Sequence, residues 1–295
     1  MNNEMAYLLG MVCGNGEIKR STTDTVVSID IPHKKEKTDS DEDVKLHIKA
    51  SITDIRSVLE PLIDTGFSFI QNKASSVLSF RKPNTDYLMR EILRFVGNAS
   101  SHESVRISND IFSFTRDQKL QFLRGFADTT GYIRRSNHYI NKYLHRVYLE
   151  VPHNWELVAD ICNLLKDVNV PVQNINWGHP SCRDANFKYL NKGNPNAWKK
   201  EHQIKIFANE FLVVGFAISH KERALEQLAR ELTDTFTEAG RDARSTTHRF
   251  YWEVKSIRKE KLQDSRVNDD FIPESIRGKH YNSWKEIARD LGYGQ

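Results

Sequence analysis

Cysteine is scarce in this chain: Cys13, Cys162 and Cys182 are the three in 295 residues. So few and so widely spaced, they exclude a disulfide framework and agree with a reducing compartment. Long apolar runs are missing too. No stretch approaches the roughly 18 consecutive apolar residues of a membrane helix, and Glu4 stands where a signal peptide would carry basic residues. The expected location is therefore intracellular, cytoplasmic or nucleoid, with no membrane partner. A dominant charge of one sign is likewise absent. Lys and Arg total 43 against 39 Asp and Glu, and the resulting +4 permits nucleic-acid binding without requiring it. With 39% hydrophobic residues the chain can fill a core.

What is present is a duplication. Ser28-Ile29-Asp30-Ile31-Pro32-His33 returns 120 residues later as Tyr148-Leu149-Glu150-Val151-Pro152-His153, a strand-like alternation closed by the same Pro-His pair. Upstream of each lies an apolar helix that passes through small residues and a polar residue to a glycine: Tyr7 to Ile18 in the first copy, Phe122 to Ile133 in the second. Downstream, Ile52, Ile55, Val58, Leu59 and Leu62 have helical spacing, as do Trp155, Val158, Ile161, Leu164 and Leu165. Strands are expected at Phe67–Gln71 and Val77–Arg81, matched by Val172–Trp177 and Gln203–Phe207. Each pair leads to a further apolar helix, around Tyr87–Phe95 and Phe211–Phe216. The unit is helix, two strands, helix, two strands, helix. Two units in one chain predict a pseudo-two-fold monomer, the covalent counterpart of a symmetric dimer. The expected boundaries are 1–115, 116–234 and a basic, aromatic extension over 235–295. That extension offers a protein-docking surface and ends in a short helix, Asn282 to Gly292, which resembles half of a helix-turn-helix.

Gly10 and Gly14 share one helical face, as do Gly125 and Thr129, so two helix backbones could approach with little between them. The blocks Leu8–Gly16 and Leu123–Gly131 resemble the signature helices of the LAGLIDADG homing-endonuclease family, and with the repeated element order the resemblance spans about residues 4 to 234. It implies an α+β fold: two αββαββα repeats forming a pseudo-two-fold saddle of antiparallel sheets, with the signature helices at its centre. It also implies a double-stranded DNA partner on the concave face, and Mg²⁺ held by an acid before the last glycine of each signature.

Those positions here are Asn15 and Thr130. Neither side chain is anionic, whereas Mg²⁺ prefers carboxylate and phosphate oxygens. No cofactor and no metal site are therefore expected, Mg²⁺ returning only if the chain is catalytic. Glu17 and Asp128 are the nearby carboxylates. Asp128 lies about 200° around the helix from Thr130, and Glu17 lies past the glycine, so neither simply restores the geometry. Candidate DNA contacts are Lys19, Arg20, Arg134 and Arg135, because a basic pair follows each signature. Arg183, Lys199 and Lys200 join them from a loop rich in basic and aromatic residues, and Gln203 and Lys205 from the strand behind it. His179 and Cys182 fall short of a zinc ligand set. The expected function is sequence-selective binding of duplex DNA. Its alternatives are an active homing- or restriction-type endonuclease with relocated acids, and an assembly subunit whose old DNA face binds protein.

Overall fold

The computed structural model describes residues 1–33, 41–63, 66–72, 74–97, 105–135, 145–151, 154–176, 202–235 and 253–254. The first half of the chain runs α1 (Asn3–Asn15), β1 (Gly16–Arg20), β2 (Asp24–Pro32), α2 (Asp41–Leu59), β3 (Ser68–Gln71), β4 (Ser75–Pro83), α3 (Tyr87–Val96) and a single turn, α4 (Asn109–Phe112). The second runs α5 (Arg116–Thr130), β5 (Gly131–Arg134), β6 (Arg146–Val151), α6 (Trp155–Asp167), β7 (Asn174–Asn176), β8 (His202–Phe207), α7 (Ala208–Phe211), α8 (Ser219–Thr235) and β9 (Glu253–Val254). The first sheet has order β1-β2-β4-β3 and the second β5-β6-β8-β7, antiparallel throughout these strands. The expected αββαββα unit is thus present twice, in an α+β fold.

Register carries the duplication down to single residues. Gly16 pairs with Ile29 and Ile29 with Leu78; in the second sheet Gly131 pairs with Leu149 and Leu149 with Ile204. Strand β2 alternates, burying Val27, Ile29 and Ile31 while Val26, Ser28 and Asp30 face outward.

Caps set the starts of the two signature helices. Asn2 accepts from the Met5 N–H at 3.0 Å to open α1, and Thr115 and Gln118 form a reciprocal capping box that opens α5. Both helices are buried almost all round, with Tyr7, Leu8, Leu9, Phe122 and Phe126 inaccessible to solvent. The segment between the repeats is tied to α6 by Arg106, whose guanidinium grips both Asp160 carboxylate oxygens at 2.7 and 3.0 Å.

Two features depart from the sequence expectation. The apolar run Phe211–Phe216 does not form the last helix of the second repeat. It breaks after α7, with Gly215 at φ +64° and the Phe216 N–H donating to the Glu222 carboxylate. The helix lies further on as α8, burying Leu225, Leu228, Ala229 and Leu232 at helical spacing under an otherwise polar surface. The extension also returns to the body: β9 pairs in parallel with β7 as a fifth strand of the second sheet. The short helix Asn282 to Gly292 lies outside the described residues.

Candidate nucleic-acid interface

The signature helices meet backbone to backbone. A Cβ built on Gly10 would strike the Phe122 carbonyl oxygen, and one on Gly125 the Tyr7 carbonyl oxygen. Toward their lower ends a Cβ on Gly14 would strike the Thr129 hydroxyl and lie 3.0 Å from the Thr130 methyl. This contact brings Asn15 and Thr130 to the same end of the helix pair, where each chain passes into β1 or β5.

Both side chains there are engaged. Asn15 Nδ2 donates to the Asp30 carbonyl oxygen at 3.0 Å, tying α1 to β2. Thr130 Oγ1 donates to the Phe126 carbonyl at 2.7 Å, one turn back on its own helix, and Thr130 is buried.

The two neighbouring carboxylates sit in opposite environments. Asp128 is fully buried; its carboxylate accepts from the Tyr7 hydroxyl at 2.7 Å and from the Ala217 and Ile218 N–H groups at 3.0 and 3.4 Å. It joins the two signature helices to the turn before α8, inside the protein. Burial raises its pKa to about 6, although Lys221 and the three hydrogen bonds act in the other direction. The same burial lifts the Tyr7 phenol above its usual range. Glu17, by contrast, is exposed on β1 and pairs with Lys19 at 3.1 Å.

On the outer faces of the sheets the repeat register sorts the basic residues. Lys19 pairs across to Val26 and Val26 to Arg81; in the second sheet Arg134 pairs to Arg146 and Arg146 to Phe207. Each sheet therefore carries one outward row with two basic side chains at the end away from the signature helices, one of the two split by a valine and the other flanked by an aromatic. Lys19, Arg81 and Arg134 are exposed, and Arg146 lies with its guanidinium 5.5 Å from the Phe207 ring centre. Arg81 and Arg146 escaped the sequence reading, although Val77-Ser79-Arg81 alternates in the required period.

Arg20 and Arg135 belong to the other parity of their strands. Arg20 is exposed past the end of the core, and Arg135, also exposed, lies just beyond β5 and pairs with Glu231 of α8 at 2.9 Å. Gln203 and Lys205 do project from the outer face, yet they are only 1% and 4% exposed. Gln203 Nε2 donates to the Tyr132 hydroxyl at 3.0 Å and to Glu150 at 2.9 Å, and Lys205 lies 5.3 Å from the Tyr148 ring, itself stacked on Tyr132. Burial and Glu150 push the Tyr132 phenol up. Arg183, Lys199 and Lys200, together with His179 and Cys182, lie outside the described residues. Among the described residues no cluster of three or more His, Cys, Asp or Glu side chains is placed to hold a metal, and no helix is long and apolar enough to cross a membrane.

No protein-family model matches the chain, and no curated protein matches it. Solved structures do. The chain is similar to I-DmoI in complex with DNA and Ca, at 13% identity and TM-score 0.41 over 76% of this chain and 97% of that one. It is similar to I-WcaI bound to its DNA recognition sequence, at 14% and 0.43 over 78% and 85%. The I-LtrWI LAGLIDADG homing endonuclease bound to target DNA follows, at 9% and 0.38 over 82% and 95%. The resemblance of Leu8–Gly16 and Leu123–Gly131 to that family's signature helices stands on the glycine contact and the duplicated strand order of this chain.

Proposed function

We propose that this protein binds double-stranded DNA selectively across the outer faces of its two sheets, and that the metal-dependent cleavage associated with signature helices of this kind is lost. The observation that carries the first half is an outward basic row in each sheet, Lys19 with Arg81 and Arg134 with Arg146, in which Lys19 and Arg134 hold equivalent register positions of the two repeats. A pseudo-two-fold molecule with basic side chains at both outer ends presents charge at two places along a duplex, where phosphates attract it and counterion release favours binding. Between the rows, the first sheet offers Ser28, Ser68 and Ser79, small hydroxyls that can donate to or accept from base edges.

The second half follows from the helix ends. A site for Mg²⁺ needs hard anionic oxygens. Asn15 offers a neutral amide that holds the Asp30 carbonyl, Thr130 a buried hydroxyl that holds the Phe126 carbonyl, and the Asp128 carboxylate is sequestered by Tyr7 and two backbone N–H groups. These residues do not fit the ion.

Selection of bound fragments from a random duplex library tests both halves. An enriched consensus whose affinity falls steeply with salt, on fragments that stay intact in Mg²⁺ or Mn²⁺, is the expected result. Absence of salt-dependent binding to any duplex would sink the DNA reading and favour a protein-binding subunit. Metal-dependent cleavage of the selected fragments would restore the endonuclease reading.

A further inference from the structure

Besides its basic row, the first sheet carries an outward row of a different kind. Ile70 on β3 pairs across to Val77 on β4, and Val77 to Asp30 on β2. Their strand neighbours Phe69 and Leu78 turn to the core, so Ile70 and Val77 point away from it. Ile70 is 58% exposed, and of the large apolar side chains exposed among the described residues it is the one that lies on a sheet. Val77 is half-buried beside it. The Asp30 carboxylate that ends the row has its Oδ1 buried, and Glu17, in the next row, is held by Lys19 at 3.1 Å.

We infer that Ile70 and Val77 read the 5-methyl group of thymine in the major groove, and that they do so in one half of the target only; the inference rests on the duplex-binding function proposed above. Thymine is the base whose major-groove edge carries a methyl group, and an apolar side chain is its complement because contact removes water from both. The surroundings favour a duplex as the occupant. Arg81 lies four residues from Val77 on the same strand, about 13 Å away at the rise of a strand, and Lys19 shares the row of Arg81. The major groove is about 12 Å wide, so the basic side chains can meet phosphates at its edge while the apolar pair lies over base edges. Between the two rows run Ser28, Ser79 and Ser68, with the Ser68 and Ser79 hydroxyls 2.6 Å apart. Side chains this small let a base pair come close to the sheet.

The restriction to one half follows from the second sheet. Leu78 and Ile204 are equivalent, pairing with Ile29 and Leu149 respectively, so Gln203 stands where the first sheet has Val77 and register places Asn176 where it has Ile70. Gln203 is 1% exposed and its amide donates to Tyr132 and Glu150. The positions of Ser28 and Ser79 are taken by Tyr148 and Lys205, both buried and in contact with each other. Bulky, mutually engaged side chains therefore replace the open serine row, and polar residues replace the aliphatic pair.

Replacing the thymines of the selected duplex one at a time by deoxyuridine, which removes just the methyl group, tests this in filter binding with the full chain. At least one replacement should weaken binding about fourfold, the worth of one buried methyl group, and the sensitive positions should fall in one half of the site. Ile70→Ser should bind the thymine and uracil forms equally, with the slope of log affinity against log salt unchanged because no phosphate contact is removed. Val77→Ser is read the same way and serves if Ile70→Ser fails to fold. Tight, salt-dependent binding with no uracil-sensitive position, with sensitive positions in both halves, or with discrimination kept by the folded serine variants overturns the inference and leaves the DNA-binding function standing. Absence of salt-dependent binding to any duplex overturns both and gives the apolar pair to a protein partner.

Discussion

Gly10 and Gly125 are reciprocal partners across the α1–α5 contact: each lies against the carbonyl oxygen of the residue one helical turn before the other, Phe122 and Tyr7 respectively. In an exposed helix a Gly→Ala change would stabilise by up to about 1 kcal/mol through propensity. Here sterics decide the sign, since the obstacle is backbone and the helices must separate to admit a methyl group. Gly10→Ala and Gly125→Ala should each destabilise the fold by at least about 2 kcal/mol in urea denaturation. Gly14→Ala meets the Thr129 and Thr130 side chains first, with the nearest backbone atom at 3.2 Å, and should lose less. A neutral or stabilised Gly10→Ala would mean that the helices do not pack this way.

Asp128 gives the fold a pH dependence of known sign. Its carboxyl titrates at about 6 in the folded protein against an ordinary value of 3.8, so between these values the folded state holds the proton more tightly than the unfolded one. Stability from this group is fully present below pH 3.8 and declines as pH rises through about 6. Asp128→Asn should lower the melting temperature, because its two fixed amide N–H bonds confront the donors of Tyr7, Ala217 and Ile218, where a protonated carboxyl has a single O–H that can turn away. The stability difference between wild type and variant, measured from about pH 4 to 7, should shrink as pH rises, by on the order of 3 kcal/mol at most. A constant difference would show that Asp128 titrates normally.

The register separates Lys19 and Arg134 from Arg135, although Arg134 and Arg135 are adjacent. Lys19 and Arg134 occupy the same outward position in the two sheets, while Arg135 holds Glu231 of α8. Replacing both Lys19 and Arg134 by alanine should lower the slope of log affinity against log salt by about two units in total, one for each phosphate no longer neutralised. Arg135→Ala should leave that slope unchanged. Filter binding of the selected duplex at several salt concentrations reads both, and equal effects of the two substitutions would remove the outer rows from the interface.

Much of this arrangement was legible because its signals are periodic and occur twice. The spacing of Gly10, Gly14, Gly125 and Thr129 foretold the helix contact, and the repeated Pro-His strand foretold equivalent sheets. What escaped depends on three-dimensional parity. Whether Arg20 or Lys19 faces outward turns on the strand register, and one residue of slip reverses it. Asp128 looks like an available acid in sequence, yet the partners that bury it, Tyr7, Ala217 and Ile218, lie far along the chain. The helix α8 was missed for a different reason: the apolar run before it is the stronger local signal, but Gly215 and the Glu222 hydrogen bond turn it into a bend.

Asn15 and Thr130 make restoration of carboxylates the sharpest test of absent chemistry, and the two positions should not respond alike. Asn15 is partly exposed, so Asn15→Asp gives up the hydrogen bond to the Asp30 carbonyl and can turn its carboxylate outward. Thr130 is 6% exposed, so Thr130→Asp introduces a carboxylate into a dry site beside the first. Burial and mutual repulsion disfavour two ionised groups there, and a divalent cation relieves both. The double variant should therefore be less stable than wild type in EDTA and recover on adding Mg²⁺, by about 2.7 kcal/mol when the ion is at roughly 100 times its Kd. Wild type should show no such recovery. Cleavage also needs a positioned water and phosphate, so slow nicking of the selected duplex is the expected activity. Thermal unfolding with and without Mg²⁺ separates the outcomes before any nuclease assay. A wild type stabilised by Mg²⁺ as strongly as the double variant would show that the helix ends already hold the ion, and the reading of an inactive centre would fall.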